Sequence, residues 1–169
     1  MKNFLVKTIR QTTLVSLPVM LFALAVPSNA IAKGAKDIGS CASSLLDSGL
    51  SKEQAANACS DVLEPSLLSS CVGSIQGQTE IKAEDALSAC YRVRRPDDLA
   101  SCVVSLNGNL DKAKPTMALD NCRRSLLPQR YAECTLGLQS NIPEISSTEA
   151  METCISAEFF PSELAPETE

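Results

Sequence analysis

The chain has 169 residues, of which 44% are hydrophobic, and a formal net charge of −5, a size that allows one domain or one short array of repeats. It carries eight Cys, no His and no Trp. Without His there is no His-dependent catalytic triad, no His general base and no His-ligated metal.

Residues 1–13 contain Lys2, Lys7 and Arg10 and no acid. Residues 14–26 are apolar apart from Ser16 and Pro18, and Ala30-Ile31-Ala32 supplies a small-x-small motif. This three-part order predicts a secretory signal peptide over residues 1–32, cut after Ala32 or alternatively after Ala30. The apolar run of about 13 residues falls short of the roughly 20 that span a bilayer, so no stable membrane insertion is expected after cleavage. The first Cys is Cys41, so none stands at the cut to accept a lipid. Removal of the segment leaves 12 basic residues against 20 acidic ones, a net charge of −8. Such a chain is repelled by nucleic acid and by anionic lipid. All eight Cys lie in the exported part, which implies the periplasm or another oxidising compartment. Residues 33–36 are expected to form a mobile new N-terminus.

The cysteines stand at 41, 59, 71, 90, 102, 122, 134 and 154, with separations of 18, 12, 19, 12, 20, 12 and 20. Long and short steps alternate, which divides the region 33–160 into four units: about 35–64, 65–95, 96–127 and 128–160. A fixed period of 30–32 residues marks a stacked repeat array. Six residues before the first Cys of each unit stand Ala35, Pro65, Pro96 and Pro128. Three before it stand Ile38, Leu68, Leu99 and Tyr131; one after it, Ala42, Val72, Val103 and Thr135; four after it, Leu45, Ile75, Leu106 and Leu138. Offsets of −3, 0, +1 and +4 share one face of an α-helix, here helix A, and Pro suits its first turn, where the missing N–H has no intrahelical partner.

The second Cys of each unit lies on helix B. Four residues before it the chain has Ala55, Ala86, Ala118 and Ala150, followed by Ala56, Leu87, Leu119 and Met151; three after the Cys come Val62, Val93, Ser125 and Ala157. The invariant Ala predicts a point where two helix backbones approach closely. Ser51 with Gln54 and Ser146 with Glu149 have capping-box spacing at two helix B starts. Breakers between A and B fall at Asp47-Ser48-Gly49, Gly77-Gln78, Asn107-Gly108-Asn109 and 140–143. All length variation sits there, while the step from B to the next A stays at 12, so the junction fixes how each hairpin docks on the next. The expectation is an all-α fold of four stacked αα-hairpins, a short solenoid.

In outline, with Ala in helix B, Pro soon after it and about thirty residues per unit, the chain resembles the tetratricopeptide-type helical hairpin, and more loosely the Sel1-like repeat. The period is shorter than the 34 residues of the former, and Cys stands at or near two of its aromatic positions. The resemblance is architectural: it implies a right-handed stack and carries over no functional residue.

Eight Cys allow 105 connectivities, but the repeat favours two. One bonds Cys41 to Cys59, Cys71 to Cys90, Cys102 to Cys122 and Cys134 to Cys154, within hairpins. The other bonds the 12-spaced pairs and strands Cys41 and Cys154 on the order of 30 Å apart, if each hairpin adds about 10 Å, too far for a disulfide. The first leaves no orphan thiol and is the expected one. No two Cys are nearer than 12 residues, unlike redox dithiols or zinc and iron–sulfur ligands, so no metal, cofactor or catalytic residue is predicted.

Glu84-Asp85 and Asp97-Asp98 read as acids at helix starts. The local exception to the acidic balance is a set of Arg after the helix B cysteines of units two and three: Arg92, Arg94, Arg95, Arg123, Arg124 and Arg130, with Tyr91 and Tyr131 in the same units. In a regular stack these align into one ridge suited to carboxylates or phosphates; the alternative is ordinary helix-end cations paired with Asp97, Asp98 and Glu133. Phe159-Phe160 are expected to cover the last hairpin, followed by a disordered acidic tail at 161–169. The resulting expectation is an exported, non-catalytic binding or scaffold protein with an acidic protein partner. A thiol/disulfide-linked enzyme or folding helper and a purely structural envelope component are the alternatives.

Overall fold

The computed structural model describes residues 28–110 and 114–158. Most of the segment expected to be a signal peptide, Phe159-Phe160 and the acidic tail therefore lie outside the described residues. Eight helices follow one another: α1 Ser28–Asp47, α2 Lys52–Asp61, α3 Pro65–Gln78, α4 Ala83–Cys90, α5 Pro96–Asn109, α6 Pro115–Arg124, α7 Pro128–Asn141 and α8 Ser147–Ala157. No strand occurs among the described residues. Odd-numbered helices are the A helices and even-numbered ones the B helices of four consecutive hairpins.

Pro65, Pro96 and Pro128 each open an A helix, and Pro115 does the same for α6. The first unit has Ala35 in that place. With nothing to stop it, α1 extends upstream to Ser28, so residues 33–36, expected to be mobile, are helical in the uncut chain and Ala32 lies within the helix. At the start of α2 the Ser51 hydroxyl accepts from the Gln54 N–H while the Gln54 side chain accepts from the Ser51 N–H, a complete capping box. Ser146 Oγ accepts from the Glu149 N–H at the start of α8.

Helix α1 ends at Asp47, and Gly49 just beyond it has a φ of +90°, open to glycine and costly for other residues. The other breakers behave differently from expectation. Gly77-Gln78, Asn107-Gly108-Asn109 and Ser140-Asn141 lie inside the last turns of α3, α5 and α7, so these helices run on to Gln78, Asn109 and Asn141. Helical bonding persists because Leu110 N still donates to Leu106 O at 3.0 Å and Ile142 N to Leu138 O at 2.9 Å. In unit two the stop comes from Thr79, whose hydroxyl donates to Ile75 O and accepts from the Ile81 N–H.

The A helices pack on one another in series, α1 on α3, α3 on α5 and α5 on α7, and each B helix packs on its own A helix. The B row is looser: α2 and α4 do not meet, and α4 with α6 and α6 with α8 touch over short stretches.

Between the rows lies the core. In the middle units the expected stripes are fully enclosed: Leu68, Cys71, Val72 and Ile75, then Leu99, Cys102, Val103 and Leu106. The stripe frays in the first unit, where Ile38 is 43% exposed because no other unit covers that side of α1 among the described residues. Ala55, Ala86, Ala118 and Ala150 are all buried to within 1%. The structure joins Cys41 to Cys59, Cys71 to Cys90, Cys102 to Cys122 and Cys134 to Cys154, with Cα–Cα distances of 5.9–6.0 Å. Each closes a loop of roughly 20 residues, contributing on the order of 3 kcal/mol by chain entropy.

Side chains one unit apart also bond. Gln76 donates to Ser48 O, Asn107 to Gln78 O, Tyr91 to Asp61, Arg95 to Leu126 O and Gln129 to Asp98. These partners are 28–31 residues apart, so the sequence period is the spatial neighbour relation.

Reduction of the four disulfides is expected to lower the melting midpoint sharply, read by circular dichroism with and without reductant. An unchanged midpoint, or eight alkylatable thiols in the untreated protein, contradicts this. Ala86→Leu or Ala118→Leu should cost about 1–3 kcal/mol by overpacking, measured by urea unfolding, whereas Ala56→Leu, on an exposed face of α2, should stay within about 0.5 kcal/mol.

Candidate functional site

Each B helix ends where the next A helix begins, so the three B-to-A junctions, at 62–64, 91–95 and 125–127, line one edge of the stack. The second junction and the last turn of α6, which leads into the third, bring arginines together. A cleft of about 600 Å³ opens between them, lined by Arg92, Arg94, Arg95, Arg123, Arg124, Ser125 and Leu126, with the buried Leu99 and Cys122 at its base. Five of the six ridge arginines therefore share one concavity.

Their partners differ. Arg95 bonds Asp98 at 3.1 Å and donates to Leu126 O at 3.1 Å, while Gln129 donates to the same Asp98 at 2.8 Å. Arg95 is thus a strut between units two and three, and Gln129 ties unit four to the same Asp98. Arg123 and Arg124 share Asp120, at 2.9 and 3.6 Å. Arg92 and Arg94 have no ion-pair partner among the described residues. Of the acids expected to neutralise the ridge, Asp98 pairs, whereas Asp97 and Glu133 form no ion pair there. Asp97, Asp98, Glu84 and Asp85 occupy first turns of α5 and α4, where acids complement the helix dipole. Asp98 and Asp120 offset part of the cleft's charge, which leaves a net positive cleft on an acidic chain.

The remaining ridge residues go elsewhere. Arg130 lies on a neighbouring cleft of about 600 Å³ with Leu126, Leu127, Ala157 and Glu158. Tyr91 faces the first junction, and its hydroxyl donates to Asp61, a bond that raises its pKa above the ordinary value. Tyr131 is 1% exposed and belongs to the core. Its hydroxyl accepts from Asn121 Nδ2 at 3.0 Å and donates to Met151 O at 3.3 Å, and Thr135 Oγ1 donates to Tyr131 O at 3.0 Å. Asn121, buried with it, went unnoticed in the sequence. Its signal was a polar residue one place before Cys122, where units one and two have Ala58 and Ala89.

Two further features of the junction edge carry no strong sequence signal. Leu63 is 100% exposed and Leu126 72% exposed, so apolar side chains interleave with the arginines. In addition, the third junction already holds a carboxylate: Leu126 N and Ser125 Oγ both donate to Glu158 at the end of α8, and Ser125 Oγ accepts from Leu127 N. The main chain at a B-to-A junction is therefore a seat for an anion in this fold.

No protein-family model, curated protein or solved structure matches the chain.

Burial is the main reason the Tyr131 pKa lies above its ordinary value, against the opposing hydrogen bond from Asn121. The folded state thus holds the phenol proton more tightly than the unfolded state. The stability this gives is complete below about pH 10 and is lost as pH rises through the higher folded pKa. Urea unfolding between pH 9 and 11 should show a falling free energy, with a shallower alkaline slope in Tyr131→Phe.

Proposed function

We propose that this chain is exported through its N-terminal segment into an oxidising compartment such as the periplasm, and acts there as a non-catalytic scaffold that captures an acidic segment of a partner protein in the arginine cleft. The observation that carries the reading is the convergence on one concavity of five arginines, three from the second junction and two from the last turn of α6, two of the five without an ion-pair partner among the described residues. Guanidinium groups take carboxylates through paired N–H donors. Exposed contacts of this kind contribute about 0.2–1 kcal/mol each, so useful affinity needs several at once, which a multi-arginine cleft offers. Leu126 on its rim adds apolar surface that suits a segment mixing acids with hydrophobic residues.

Two observations bear on the alternatives. All eight cysteines are bonded, so a thiol-based activity would first have to open a disulfide. No described helix is long and apolar enough to cross a membrane, and the acidic balance of the chain disfavours anionic surfaces in general.

Arg94→Glu combined with Arg124→Glu should weaken binding of a labelled glutamate-rich peptide at least tenfold in fluorescence anisotropy at low salt, while the melting midpoint stays unchanged. Equal affinity in the variant refutes the reading. Co-sedimentation with phosphatidylglycerol vesicles, in the absence of peptide binding, would move the site from a protein partner to a lipid surface.

A further inference from the structure

The proposed capture site lies next to the point where an acidic segment of the same chain begins. Glu158 is held against the third junction by Leu126 N at 2.8 Å and by the Ser125 hydroxyl. Ser125 and Leu126 are themselves walls of the arginine cleft. Residues 159–169 follow directly and contain Phe159, Phe160, Glu163, Glu167 and Glu169 and no basic residue.

We propose that this acidic tail is an internal occupant of the arginine cleft, regulating it by competing with the partner's segment; the proposal rests on reading the cleft as a site for acidic chain. Three observations point the same way. The first is position: the second cleft, lined by Leu126, Leu127, Ala157 and Glu158, lies where Phe159-Phe160 leave α8, and Leu126 is the wall between it and the arginines. The aromatic pair suits that less polar cleft, and the path onward crosses one residue. The second is reach: five extended residues from Glu158 to Glu163 cover up to about 17 Å, and the tail has six more. The third is charge, since three carboxylates meet a cleft in which Arg92 and Arg94 have no ion-pair partner among the described residues.

Glu158 shows the mode of binding one step along the stack. In the third junction an acid from the following unit occupies the main-chain seat. The corresponding place for the second junction is held by Leu126, four residues after its Cys as Glu158 is after Cys154, and Leu126 brings no carboxylate. The N–H groups of Val93, Arg94 and Arg95 donate to no described residue. The tail supplies the carboxylate that the repeat omits there. Tethered so near, it acts at an effective concentration on the order of 1 mM, so it excludes weaker outside segments without a tight contact of its own.

The test compares the full chain with the triple variant E163Q, E167Q, E169Q. Side-chain Nε–Hε signals of the cleft arginines are followed by ¹H–¹⁵N NMR, and affinity for a hexaglutamate peptide is measured by calorimetry. The expected result is displaced arginine signals and peptide binding about fivefold tighter in the variant. Identical arginine signals in the two chains overturn the tail proposal, whatever the peptide does. Displaced signals with no peptide binding to either chain uphold tail docking and instead defeat the reading that the cleft captures acidic segments of other proteins.

Discussion

One cystine at the centre of each hairpin is the constraint on which the rest depends. The core has almost no large side chains. Tyr131 is the one buried aromatic among the described residues, and the interior is otherwise Leu, Ile, Val, Ala, Met and cystine. A two-helix unit with so little apolar bulk buries too little surface to be stable alone. The disulfide limits the unfolded ensemble and sets the A–B separation, with Cα atoms 5.9–6.0 Å apart in every unit. At that separation the B helix, four residues before its Cys, has room only for a small side chain, and Ala is buried there in all four units.

The junction edge follows from the same constraint. Because the step from B to the next A is always 12, each hairpin presents its junction at the same height as its neighbour's. Side chains one period apart therefore meet, as Asp61 and Tyr91 do, or Leu126 and Arg95. That relation turns arginines about thirty residues apart in sequence into neighbours around one cleft. At the last described hairpin, Glu158 of the fourth unit closes the third junction, and the segment that follows it starts beside the cleft.

Much of this was legible in the residues. The −3, 0, +1 and +4 stripe identified buried positions in the middle units, because a helix packed on both sides must keep one apolar face. The stripe reads less well at the ends. Ile38 has the same offset as Leu68 and Leu99 yet is 43% exposed, since burial there needs a neighbouring unit that α1 lacks among the described residues. Tyr131 failed in the opposite sense. A tyrosine among arginines resembles a binding residue, but the −3 offset places it in the core, where Asn121 and Met151 satisfy its hydroxyl. The breakers misled by about a turn, because Gly and Asn are tolerated at the end of an A helix whose carbonyls still find N–H partners.

By itself the sequence determined the periodic matters: the helical class, the four-hairpin array and its stacking register. These depend on spacing, and spacing is read directly from the chain. Tertiary structure alone decided which arginines face a common space, which are held by Asp98 or Asp120, and which side of the junction Tyr91 joins. Those outcomes depend on the angle between hairpins and on rotamers chosen among competing partners, and a linear pattern contains neither.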